Sequence, residues 1–193
     1  ATHRTAGTFQ ECLPVIDRAR DFLIANQKHI NNHILRTFYL SFGLNYFGAG
    51  KYSESSVWLN RIINESQYMV RLDIACFARM VNLVVQYELG NNEYLEYVVK
   101  STYRFLHKRN QVYKLEGVIM NFIRKRLPSV ITPSGLREAF IGLLAELKIL
   151  DNDPFEKRAF EYFDFISWLE SKLEGRPFAE IAKEKVTKAQ ELK

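Results

Sequence analysis

The chain has 193 residues, 47% of them hydrophobic and 25% charged, with a formal net charge of +5. That length can bury a core of its own, and the balance excludes an intrinsically disordered chain. No run approaches the ~18 apolar residues of a membrane-spanning helix; two cysteines, Cys12 and Cys76, with no CxxC pair argue against a disulfide framework and for a reducing, cytoplasmic setting.

Only five prolines are present, and the apolar residues recur at helical rather than alternating spacing, so the chain reads as all-α. The pattern predicts helices over 8–27, 30–48, 52–66, 69–89, 92–109, 111–127, 133–149, 154–173 and 177–191. Ile74, Phe77, Ala78, Val81, Val84, Val85 and Leu89 form one stripe; Leu136, Phe140, Leu143, Leu144 and Leu147 form another. Phe155, Ala159, Tyr162, Phe163, Ile166, Leu169 and Leu173 form a third, along one long helix. Thr132-Pro133 and Asp153-Pro154 each pair an N-cap residue with a proline at the first helical position. Gly50, Gly90 and Gly175 fall just past helix ends, where a left-handed residue is needed. Phe178, Ile181, Ala182, Val186 and Ala189 give the last helix the narrow stripe of a terminal cap.

The punctuation repeats. Gly50, Tyr52, Ser55, Leu59 and Arg61 align with Gly7, Phe9, Cys12, Ile16 and Arg18 at an offset of 43 residues, and Tyr94 lies 42 after Tyr52. Turns near 90, 133 and 175 carry a period of about 42, two helices to each.

The stretch 39–62 is the most specific. Tyr39, Phe42-Gly43, Tyr46, Gly50, Tyr52, Ser55 and Leu59 resemble a tetratricopeptide repeat, in which small residues such as Gly43 and Ser55 let two helices close up. Ile62 replaces the last small residue of that pattern, Gln67 stands where its closing proline would be, and the period exceeds the usual 34. The resemblance implies antiparallel hairpins stacked as a right-handed α-α superhelix, forming a single repeat domain over 1–193 of about four helix pairs. The first helix has the place of a second half-repeat, so a longer parent chain is expected.

The resemblance also implies a groove lined by the first helix of each pair, here by Leu40, Leu44, Phe47, Val81 and Val85. These are apolar, unlike the Lys, Arg and Asn that grip a C-terminal carboxylate in relatives, so the groove would take an apolar peptide or helix face. The other reading is that they pack against neighbouring helices. A second candidate is electrostatic. Between 100 and 137 nine basic residues face one acid, Glu116. Arg104, Lys108, Arg109, Lys114, Arg124, Lys125 and Arg126 make a basic patch interleaved with Tyr103, His107 and Tyr113. It fits an acidic protein or a nucleic acid, or else cations placed at helix C-termini.

No chemistry stands beside these. Gly48 to Ser53 imitates a phosphate loop, but Tyr52 separates Lys51 from Ser53 and no strand precedes it. His29 and His33 are four apart without a third ligand or an intervening Glu. No nucleophile elbow occurs. The expectation is a non-enzymatic scaffold with no cofactor and no metal, binding another protein; the alternative is a regulatory or nucleic-acid-associated module using residues 100–137.

Overall fold

A computed structural model describes residues 8–64, 72–108, 113–130, 132–160 and 162–191, Arg158 by its backbone alone. Every regular element among the described residues is helical. The order is α1 (Phe9–Asn26), a 3-10 turn at Gln27–His29, α2 (Asn32–Gly48) and α3 (Tyr52–Asn64). Next come α4 (Leu72–Glu88), α5 (Asn92–His107) and α6 (Lys114–Asn121), which a π turn at Phe122–Arg126 and a 3-10 turn at Leu127–Ser129 extend. Then follow α7 (Pro133–Asp151), the short α8 (Lys157–Phe160), α9 (Phe165–Glu174) and α10 (Phe178–Glu191). The expected helix ends at 65–66, 69–71, 109 and 111–112 lie outside the described residues.

Local chemistry sets the boundaries. Asn31, Asn91 and Thr132 accept backbone N–H bonds from His33, Tyr94 and Gly135 at the starts of α2, α5 and α7. Gly50, Gly90 and Gly175 end helices at φ of 74°, 67° and 67°, a region that costs glycine little. Gly48 to Ser53 is accordingly a helix–turn–helix corner, not a phosphate loop.

Neighbouring helices pack in sequence order from α1 to α5, and α2 also reaches α4. The α2–α3 contact is tight. The Ser55 hydroxyl donates to the Gly43 carbonyl at 2.7 Å, and a Cβ on Gly43 would stand 2.9 Å from the Leu59 side chain. Small residues at both positions let the backbones approach.

The helix α4 is buried on every side: Phe77, Ala78, Val81, Leu83, Val84 and Val85 expose 2% or less. The stripe expected there understates its burial. A helix apolar all round belongs inside, and the C-terminal third of the chain supplies the missing cover. The Tyr162 ring stacks on Phe77 at 4.2 Å and its hydroxyl donates to Asp73. Trp168 packs edge-on to Tyr87, and its indole N–H donates to the Glu88 carboxylate at 2.6 Å, which Lys172 also pairs.

The single helix expected over 154–173 is the main correction. A turn at 154–156, α8, a break at 162–164 and α9 replace it. The reason is inward demand from too many directions. Glu156, Phe163 and Phe165 are all buried, and Tyr162 stacks beside them on Phe77. On one continuous helix residues 162, 163 and 165 would spread over about 160°, wider than a single apolar stripe. Asp153 instead accepts the Phe155 and Glu156 amides, and Asp164 accepts the Ser167 amide and hydroxyl at 2.8 and 2.5 Å to start α9 afresh.

Candidate functional site

The five groove residues do not form an open groove. Leu40, Leu44, Phe47, Val81 and Val85 expose 4% or less, so their own side chains offer a partner little surface. The chain fills the place itself. The Phe47 ring meets Phe163 at 4.9 Å and Phe178 at 5.3 Å. Phe9 meets the same Phe178 at 5.7 Å with its ring tilted, and Leu44, Phe160, Phe163 and Phe178 line the hollow of about 340 Å³ that remains. Their burial is in keeping with the packing alternative.

The basic patch divides. Arg109 lies outside the described residues. Lys108 is exposed at the end of α5. Lys114 opens α6 and leans towards Asp153 at 4.0 Å. Lys125 and Arg126 line a smaller hollow against α7, where Arg126 pairs with Glu146 at 3.6 Å. Arg104 and Arg124 come together across a different cleft.

That cleft lies between α5 and the π and 3-10 turns after α6, and has a volume of about 1040 Å³. Its floor is aliphatic, from Leu95, Val99, Ile123, Leu127 and Val130. Cations stand at its rim. Arg124 places its guanidinium 4.7 Å from the Tyr103 ring centre, on the opposite wall, and His107 meets the same ring edge-on at 5.4 Å. The Arg104 Nε donates to the Lys100 carbonyl at 3.3 Å. Lys100 itself is engaged by Glu96 at 2.6 Å, a hydrogen bond that holds the Glu96 carboxyl below its ordinary range. Among the described residues, no carboxylate lies within ion-pair distance of Arg104 or Arg124. The rim thus carries two uncompensated guanidinium groups.

The π turn builds this wall. Pro128 has no N–H to give the Arg124 carbonyl, and its ring crowds that carbonyl. The ladder widens one turn earlier, where the Leu127 N–H reaches the Phe122 carbonyl five residues back. Phe122 and Ile123 then both face inward, with Phe122 stacked on Phe140 at 5.7 Å. Arg124, Lys125 and Arg126 are left exposed in succession.

Glu156 anchors the element from below. Its carboxylate accepts the Lys114 and Leu115 amides at 2.9 and 3.0 Å, at the N-terminus of α6, where the helix dipole suits a negative charge. Sequence reasoning missed Glu156, because its partners lie about forty residues away. It also missed the floor residues. Pro128 so soon after Arg124-Lys125-Arg126 was the available signal of an irregular turn.

Among the described residues, no three His, Cys, Asp or Glu side chains gather as metal ligands, and no helix is long and apolar enough to cross a membrane. Cys12 and Cys76 are both buried and in no disulfide, and burial pushes the Cys12 thiol up. Compared with known proteins, the chain matches no family model, no curated protein and no solved structure.

Proposed function

We propose that this chain is a non-enzymatic helical scaffold that binds another protein, and that the cleft between α5 and the π turn is where a segment of that protein docks. The cleft carries the reading. It is concave and open, with an aliphatic floor that suits apolar side chains and polar groups at the rim that orient them. The order of packing from α1 to α5 supports the further reading that the hairpins stack as a right-handed, tetratricopeptide-like superhelix. Two buried cysteines in no disulfide are in keeping with a cytoplasmic setting.

A photo-crosslinking residue at Leu127 tests this, with Ser53 on the far hairpin as the control. Leu127 should yield one discrete protein adduct in cells, lost when Val99→Asp is added, while Ser53 yields none. Equal adducts from both positions would reject the cleft as the docking site.

The second reading, a nucleic-acid-associated module, draws on Arg124 over Tyr103, since an aromatic ring beside cations can stack a base. It requires an RNA or DNA shift that weakens steeply with salt. The floor favours protein, because its five apolar residues are aliphatic and offer no stacking platform.

A further inference from the structure

We infer that the occupant of the cleft is an amphipathic segment bearing carboxylates, and that Arg124 and Arg104 select it by charge. This rests on the docking reading above and adds the chemistry of the partner.

Four observations converge. The two guanidinium groups face one cleft from opposite walls. Neither has an acidic partner among the described residues, whereas Lys100, Lys114 and Arg126 nearby are each paired. An unpaired arginine at a binding rim matches a carboxylate geometrically, with two parallel N–H donors for two oxygens. Tyr103 holds the Arg124 guanidinium over its ring face rather than letting it roam in water. That contact orders the donor before the partner arrives, so less conformational entropy is lost on binding. It is also weak enough to yield to a charge-assisted pair. The fourth observation is the floor. Ile123, Leu127 and Val130 lie beside Arg124 on one wall, so an apolar contact and a charged one fall within the same few residues of a docked segment.

The bound state follows. Apolar side chains of the partner settle over Leu127 and Val130. A carboxylate on the same segment accepts from Arg124, and a second, about a helical turn away, accepts from Arg104. Lys100 stays with Glu96 and adds little.

The test uses the whole chain and fluorescein-labelled peptides read by anisotropy. The probes are a Leu/Glu amphipathic helical peptide, its Leu/Gln and Leu/Lys counterparts, and a single-stranded oligo(dT). The Leu/Glu peptide should bind about tenfold more tightly than Leu/Gln. Arg124→Glu, checked for fold by circular dichroism, should abolish that preference and bind Leu/Lys better than the parent does. Equal binding of Leu/Glu and Leu/Gln would overturn the charge selection and leave peptide docking standing. Binding of oligo(dT) alone, or of no probe, would overturn both.

Discussion

Gly43 sits where two helix backbones nearly touch. Leu59, directly opposite, is fully buried and cannot swing aside. Gly43→Val should therefore cost about 1–3 kcal/mol, the range for forcing extra methyl groups into a packed core. Urea denaturation would read it as a lower midpoint with an unchanged slope. Tyr52 makes a second prediction at this scale. Burial, with the nearby Glu88 charge, pushes its hydroxyl up to about 12 from an ordinary 10. The folded state thus holds a proton that the unfolded chain releases. Stability is fully present below pH 10 and is lost as pH rises through 12. Tyr52→Phe should flatten the fall in stability between pH 10 and 12. An unchanged slope would show that the ring is exposed to solvent.

At the scale of elements, the regular helices were readable and the irregular ones were not. Asparagine and threonine caps, Pro133 and the three left-handed glycines are local signals, and α2, α3, α5 and α7 fall within three residues of the expected bounds. The break at 162–164 and the π turn at Phe122–Arg126 answer demands from distant parts of the chain. Phe163 turns to Phe47, more than a hundred residues earlier, and no period in the sequence encodes that. For the candidate site, the basic residues were legible as a run in the sequence. Their division among three places was not, because it depends on how α6 ends. Glu156 shows what holds that element. Glu156→Gln leaves one oxygen to accept two amides, of which that of Leu115 is buried, and should cost about 1–3 kcal/mol. Native-state hydrogen exchange at Lys114 and Leu115 should quicken with it, while the α2–α3 hairpin stays protected.

Across the whole molecule, the C-terminal third decides which apolar surfaces of the helical hairpins are covered. Phe163, Trp168 and Phe178 close over α2 and α4, which turns the expected hairpin groove into core. Phe178→Ala removes a half-buried ring that meets Phe9, Phe47 and Phe163 together, and should cost about 2–3 kcal/mol, below the range for a fully buried ring. A free groove would tolerate the change with little loss. Among the described residues the larger open apolar and cationic surface is the cleft beside the π turn, about 1040 Å³ against about 340 Å³ for the hollow beside Leu44 and Phe178. Methyl NMR of the full chain titrated with the Leu/Glu amphipathic peptide tests this most directly. Signals of Val99, Ile123, Leu127 and Val130 should shift together, with those of Leu40, Leu44, Val81 and Val85 unmoved. Shifts at Leu44 and Val81 with the cleft silent would contradict it.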